Sequence, residues 1–183
     1  SEFSENNGKC ISRAMDDRAG CALLIETARR LKNSPHEIYF VFTVQEELGL
    51  RGARTSAYAL NPDIGIAVDV TTTGDTPKSR PMAVKLGAGP AIKVKDSSLL
   101  AHPKVKELMV ERAKEAGIPY QMEILEAGGT DAGAIHLTRE GIPSGVLSIP
   151  TRYVHSDSEM VDICDMEKGV KLLIKILEEK IDI

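Results

Sequence analysis

Short runs of β-forming residues alternate with longer runs of helical periodicity along the chain, and this alternation restricts the fold more than any other sequence feature. The β-forming runs cover residues 37–45, 63–70, 91–95, 120–125 and 144–149. The helical runs cover residues 17–32, 50–60, 103–116, a short stretch that ends at Glu140, and a final helix that Asp165 caps. Such alternation is typical of a three-layer α/β fold, in which helices flank a mainly parallel, mixed sheet.

The length and composition agree with one such domain. The 183 residues suffice for one substantial core, so we predict a single α/β domain over residues 1–183. Residues 91–95 alternate apolar and polar side chains, which predicts a strand near an edge of the sheet. A net charge of −4 argues against a nucleic-acid-binding surface. No apolar run approaches the roughly 18 residues that cross a bilayer, so we expect no membrane partner.

The cysteines point to a reducing compartment. Cys10, Cys21 and Cys164 are scattered and form no Cys-x-x-Cys pair. Neither a thiolate zinc site nor a disulfide framework is therefore indicated, and we expect a cytoplasmic protein.

Polar side chains follow four of the predicted strands at the point where each strand ends. They are Glu46 and Glu47 after residues 37–45, Asp69 at the end of 63–70, Thr130 and Asp131 after 120–125, and His155 after 144–149. Asp16 and Asp17 stand where the first helix begins. Because ligands bind outside the carboxyl ends of the strands in open α/β sheets, we expect these residues to lie at one rim.

Such a cluster needs a counter-charge. Two carboxylates about 4 Å apart repel by roughly 4 kcal/mol at an effective dielectric near 20, so they must take up protons or share a cation. Carboxylates with an imidazole suit a divalent ion such as zinc, cobalt or manganese. His155 favours the metal, because a pair of carboxylates that shares a proton needs no imidazole. Successive side chains of an extended segment point in opposite directions, so Glu46 and Glu47 can divide the work of metal binding and proton transfer.

Each of these residues also has a structural interpretation. Asp16 or Asp17 can be an ordinary helix N-cap. Glu46 and Glu47 can form a solvated turn, Asp69 can be solvated at a strand end, and His155 can be a structural histidine. The three other histidines, His36, His102 and His136, are expected to be structural.

Five short motifs together resemble one known family. "AMDDRAG", "TVQEELGLRGA", "AVDVT", "GGTDAG" and "YVHS" occur in the order and spacing found in the tetrahedral (TET), deblocking and glutamyl aminopeptidases. These are two-metal exopeptidases, some of which carry an endoglucanase label. The resemblance implies a zinc-exopeptidase-like fold, two divalent metal ions with zinc preferred, and peptide substrates.

The resemblance also implies a role for each matching residue. Asp16 bridges the two metal ions, Glu47 and His155 bind one of them, and Asp69 binds the other. Glu46 is the general base and acid that takes a proton from the attacking water, and Asp17 supports the ligands. Thr130 and Asp131 shape the substrate pocket.

Two features of the family are absent from this sequence. The family has an early His-x-Asp motif that supplies a further ligand, and it inserts a small β-rich domain before the Asp-Asp-Arg motif; neither occurs here. We therefore expect the chain to be the carboxyl-terminal part of a longer catalytic domain, with one metal site short of a ligand. Family members often form shells of twelve subunits, which implies a homo-oligomer.

Two further functions remain open at this point. A glycoside hydrolase would also use two carboxylates, although adjacent Glu46 and Glu47 cannot flank a sugar from opposite sides, and aromatic residues are scarce. An inactive assembly fragment is consistent with the missing ligand.

Overall fold

A computed structural model describes residues 3–183, which contain seven strands and five helices. The strands are β1 (Ser4–Asn6), β2 (Lys9–Ser12), β3 (Gly65–Thr72), β4 (Ala91–Lys95), β5 (Gln121–Ile124), β6 (Ser144–Arg152) and β7 (Glu159–Asp162). The helices are α1 (Met15–Arg30), α2 (Arg51–Leu60), α3 (Pro103–Glu115), α4 (Ala132–Ile135) and α5 (Ile163–Leu177). None of these helices combines the length and apolarity that a membrane-spanning helix needs.

All seven strands belong to one mixed sheet with β6 at its centre. The main path runs β1-β2-β7-β6-β4-β5, and β3 pairs with β6. The pairs β3–β6 and β4–β5 are parallel, and the other pairs are antiparallel. One face of the sheet is covered by helices α1, α3 and α5. On the other face α4 packs against β3 and β6, and α2 packs against α4. The predicted α/β class, with a mixed sheet between helices, is confirmed.

The main core lies between the sheet and the layer of α1, α3 and α5. Leu23, Met109, Leu147 and Ile176 are fully buried there. The opposite face holds a smaller cluster of Ala67, Leu99, Ala132 and Val146. Because both faces of the sheet are covered, every residue of β6 from Ser144 to Thr151 is buried.

The predicted strand at residues 37–45 is wrong. No residue of this segment belongs to a strand, and Tyr39, Phe42 and Val44 are at least half exposed. A cleft of about 880 Å³ lies between the segment and β3. Strand propensity is expressed only where a neighbouring strand pairs with the backbone, and the described residues offer this segment none.

Strand β4 lies beside β5, the last strand of the main path, so its predicted position near an edge is confirmed. The cap of α5, by contrast, differs from expectation. Helix α5 is capped by Asp162, whose Oδ1 atom accepts a hydrogen bond from the Cys164 N–H at 2.8 Å. Asp165 lies inside the first turn and instead accepts hydrogen bonds from the backbone of Gly87 and Gly89.

Helix α4 is shorter than predicted. It ends at Ile135 rather than at Glu140, and the chain turns at Arg139, whose φ of 52° is left-handed. Strands β1, β2 and β7, each three or four residues long, have no counterpart among the predicted strands.

Candidate metal centre

Acidic side chains and one imidazole from three separate segments meet at one rim of the sheet. Asp16 lies in the first turn of α1, Glu47 in the loop before α2, and His155 in the loop between β6 and β7. The His155 Nε2 atom lies 3.0 Å from Asp16 Oδ2 and 3.3 Å from Glu47 Oε1. One ligand atom from each of the three residues lies within 4.8 Å of the others, which is close enough for one cation.

A second group of carboxylates shares Asp16 with the first. Asp16, Asp17 and Asp69 also bring one oxygen each within 4.8 Å of one another. Asp69 lies within β3, three residues before the strand ends at Thr72. A carboxylate that belongs to two such groups has the placement needed to bridge two cations.

Asp17 has a structural role at the start of α1 and also lies in the second group of carboxylates. Its Oδ1 atom accepts a hydrogen bond from the Gly20 N–H at 3.0 Å, as the side chain of a helix cap does. Gly20 is required for this contact, because a Cβ atom at that position would collide with the carboxylate of Asp17. The side chain of Asp17 therefore stabilises α1 and still contributes an oxygen to the second group.

Burial, with a further contribution from the neighbouring carboxylates, raises the pKa values of these side chains. Burial, followed by the charge of Glu47, raises the pKa of Asp16 to about 6. Burial raises the pKa of Asp17 to about 8. Burial and the charges of Asp17 and Asp16 hold the pKa of Asp69 well above its usual range. Within residues 3–183 no lysine or arginine forms an ion pair with these groups, so His155 is their only basic partner.

The donor set fits a divalent cation. Carboxylate oxygens with one imidazole nitrogen, and no thiolate, are ligands that zinc, cobalt and manganese accept. Burial raises the pKa values of Asp16 and Asp69 most, and repulsion from neighbouring carboxylates adds to it; a cation at this position would neutralise that repulsion.

Glu46 lies beside the cluster and lines the same cleft as Asp17, Asp69 and Asp131. Burial, followed by the charges of Asp131, Glu47 and Asp16, raises the pKa of Glu46 to about 7. The backbone holds this residue in a tight turn, because its carbonyl oxygen accepts hydrogen bonds from the N–H groups of Gly49 and Leu50. Glu46 is therefore poised to exchange a proton near neutral pH.

Thr130 and Asp131 lie in the loop before α4, next to Glu46. Asp131 Oδ2 accepts a hydrogen bond from Thr43 Oγ1 at 2.6 Å, and burial raises the pKa of Asp131. The buried Oδ1 atom of Asp131 and the Oγ1 atom of Thr130 have no hydrogen-bond partner. Buried polar atoms of this kind are available to a ligand.

Glu159, which no motif of the sequence singles out, is buried directly behind the cluster. Its carboxylate accepts hydrogen bonds from the backbone of Asp16 and of His155. Its position four residues after His155 is the only sequence signal, and this spacing does not by itself reveal the contact.

A protein-family model and curated relatives both match this chain, and they agree on one family. The model of the M42 glutamyl aminopeptidase family matches residues 1–172. A curated relative from Acetivibrio thermocellus is 60% identical over 167 residues, which are 91% of this chain and 51% of that protein. The chain spans about half the length of the curated relatives it matches.

Solved structures share the fold. An aminopeptidase from the archaeon Desulfurococcus kamchatkensis superimposes with a TM-score of 0.95 at 41% identity, over 98% of this chain and 52% of that one. The TET1 peptidase of Pyrococcus horikoshii, which can assemble into a tetrahedron or a large octahedral shell, gives 0.82 at 34% identity, over 98% and 53%. The zinc-exopeptidase-like fold expected from the motifs is therefore confirmed.

Proposed function

The chain belongs to the M42 glutamyl aminopeptidase family, and we propose that it contributes the catalytic centre of a metal-dependent aminopeptidase. The enzyme removes amino-terminal residues from peptides. The convergence of Asp16, Glu47 and His155, with ligand atoms within 4.8 Å of one another, carries this proposal.

Two cation positions follow from the two groups of side chains. Glu47 and His155 would hold the first cation and Asp69 the second, and Asp16, which belongs to both groups, would be shared between them. We expect zinc, with cobalt or manganese as alternatives. When bound, such ions polarise the peptide carbonyl and lower the pKa of bound water, so that it can lose a proton and attack the carbonyl at neutral pH.

The two positions are expected to differ in affinity. The first group includes the imidazole of His155, whereas the second consists of carboxylates alone within the described residues. Zinc binds imidazole well, so the position at Asp69 is expected to fill at higher zinc concentration than the position at His155.

Glu46 moves the proton. Its carboxylate lies beside the ligand groups, where it can accept a proton from the attacking water and return it to the leaving amine. Glu47, rather than Glu46, belongs to the cluster of ligand atoms, which leaves the Glu46 carboxylate free for proton transfer.

Thr130 and Asp131 line the place where the peptide binds. The unpaired Oδ1 atom of Asp131 and the Oγ1 atom of Thr130 are acceptors that suit the free amino group of a peptide. An acidic pocket at this point favours substrates with a charged amino terminus, which is the selectivity of an exopeptidase.

We also propose a homo-oligomer in the cytoplasm. The TET1 peptidase, at 34% identity, can assemble into closed shells. Cys10, Cys21 and Cys164 are free thiols, which fits a reducing compartment.

The experiment uses the full natural chain, stripped of metal by a chelator and assayed with and without added Zn²⁺. We expect release of the first residue from a panel of aminoacyl substrates and free peptides, loss of release on chelation, and recovery with Zn²⁺. Peptides with an acetylated amino terminus serve as the control and are expected to stay intact.

Two outcomes would overturn the proposal. Glucan cleavage that survives the chelator would favour a glycoside hydrolase. A metal-free oligomer that releases no residue under any of the added cations would favour an inactive assembly component.

A further inference from the structure

Glu159 is a buried carboxylate to which the proposed chemistry gives no task. It is the first residue of β7 and is only 2% exposed. It pairs in register with Ser12, the last residue of β2. Within residues 3–183 no lysine or arginine forms an ion pair with it, so its charge has another use.

Both oxygens of Glu159 are engaged by the backbone of two candidate ligands. Oε1 accepts a hydrogen bond from the His155 N–H at 2.7 Å. Oε2 accepts a hydrogen bond from the Asp16 N–H at 3.0 Å. One side chain thus joins the loop after β6 to the start of α1.

The backbone at His155 needs an external constraint. His155 has a φ of 61°, in the left-handed region that side-chain-bearing residues seldom occupy. Such a conformation persists where surrounding contacts fix it, and the hydrogen bond to Glu159 is one such contact. Asp16 has φ and ψ of −77° and 109°, so its backbone is extended and its N–H points to Glu159 instead of joining the helical pattern of α1.

We propose that Glu159 is a positioning residue, which sets the spacing between the Asp16 carboxylate and the His155 imidazole so that they bind one cation together. The proposal rests on the metal-dependent function proposed above. Its negative charge, directly behind the two ligands, also favours a cation in front of them.

Conservative substitution separates this role from simple packing. Glu159→Gln keeps the shape of the side chain, but its amide nitrogen cannot accept a hydrogen bond, so one of the two backbone N–H groups loses its partner. Glu159→Ala removes both acceptors.

Asp165 provides a matched control. It is also a fully buried carboxylate that accepts two backbone hydrogen bonds, from Gly87 at 2.6 Å and Gly89 at 2.7 Å. These contacts hold a loop against α5 and involve none of the candidate ligands. Asp165→Asn therefore imposes a similar structural loss away from the cation positions.

The first measurement is calorimetric titration of the metal-free full chain with Zn²⁺. We expect Glu159→Gln to weaken the tighter site by about 10- to 100-fold, as loss of a residue that orients metal ligands does. Asp165→Asn is expected to lower the melting temperature and leave Zn²⁺ affinity unchanged. Wild-type affinity in Glu159→Gln, with a melting temperature lowered as in Asp165→Asn, would reduce Glu159 to a packing role and overturn the proposal.

The second measurement is amide hydrogen exchange without metal. We expect the N–H of Asp16 or of His155 to exchange about tenfold faster or more in Glu159→Gln. Unchanged exchange of both amides in Glu159→Ala would overturn the proposed contact. If the wild-type chain binds no Zn²⁺, the proposed metal-dependent function is wrong, and so is the predicted effect of Glu159 on Zn²⁺ affinity. The amide exchange rates of Asp16 and His155 would still show whether Glu159 fixes these two residues.

Discussion

A buried ion pair inside the sheet makes a strong prediction about stability. Lys93 Nζ lies 2.6 Å from Glu123 Oε1 and 3.6 Å from Asp96 Oδ2, and all three side chains are fully buried. Glu123 also accepts hydrogen bonds from the hydroxyls of Thr71 and Ser148. Thr71 lies two residues after the candidate ligand on β3, so this network fixes the strand that carries it.

Replacing Lys93 by Met removes the cation but keeps the length of the side chain. Glu123 and Asp96, whose Oδ2 atom accepts no hydrogen bond, then stay buried without a counter-charge. Removing one partner of a buried ion pair costs about 3–5 kcal/mol in the free energy of unfolding. That is a large part of the roughly 5–15 kcal/mol by which such proteins are stable.

The partner substitution is expected to cost less. In Glu123→Gln, Lys93 keeps Asp96 as a partner, and the new amide can still bond to the hydroxyls of Thr71 and Ser148. The double variant is expected to lose less stability than the sum of the two single variants, because the two side chains are directly coupled.

Urea unfolding of the wild type, Lys93→Met, Glu123→Gln and the double variant, followed by circular dichroism, measures these differences in the free energy of unfolding. Lys180→Met is the control, because Lys180 and Asp182 form an ion pair in which both side chains are more than three-quarters exposed. Its unfolding midpoint is expected to match the wild type. A loss of less than about 1 kcal/mol in Lys93→Met would refute the reasoning, since that is the size of an ordinary substitution.

Glu46→Gln is expected to lower kcat by about 10²- to 10⁴-fold while the zinc content, measured by metal analysis, stays unchanged. Glu111→Gln, on an exposed surface of α3, is the control and is expected to stay active. A Glu46→Gln enzyme with wild-type kcat would contradict the assigned role. In metal-free protein, stability is expected to fall as pH rises from about 4 to about 7, because folding raises the pKa of Asp16 from 3.8 to about 6 and of Glu46 from 4.5 to about 7. The folded state then binds more protons than the unfolded state in this window, and saturating Zn²⁺ should remove the fall; a flat profile without metal would oppose this. Asp162→Ala is expected to lower the free energy of unfolding by about 0.5–2 kcal/mol through loss of the α5 cap, and an unchanged urea midpoint would show that this cap is dispensable.

The helices were predictable because their signals are local. The sequence predicts a helix over residues 50–60, and α2 spans Arg51–Leu60. The predicted helix 103–116 likewise corresponds to α3. Periodicity and turn residues lie within the helix itself, so no distant partner is needed to identify it.

Strands depend on partners that a local pattern does not reveal. Residues 37–45 have strong strand propensity, yet no described strand lies beside them, and they remain unpaired. Residues 9–12 have a weak pattern but form β2, because they pair with residues far along the chain in β7.

The candidate site was predictable in its location and less so in its details. The rule that ligands bind at the carboxyl ends of strands predicts that Asp16, Glu47 and His155 lie together. The His155 imidazole does lie 3.0 Å from Asp16 and 3.3 Å from Glu47, although residues 37–45 before Glu47 form no strand. Their roles as ligands remain predictions. Asp162 and Asp165 lie three residues apart, and the sequence alone could not decide which of them caps α5. Glu159 could not be identified from the sequence, because its contacts with the backbone of Asp16 and His155 depend on the folded structure.

The most direct test is a crystal structure of the full natural chain grown with Zn²⁺, with anomalous scattering collected at the zinc edge. We predict one zinc peak about 2.0–2.2 Å from atoms of Asp16, Glu47 and His155, and a second peak at Asp16 and Asp69, about 3.5–4 Å from the first. Zinc peaks only at other residues, or no peak at a zinc concentration that supports full activity, would contradict the account.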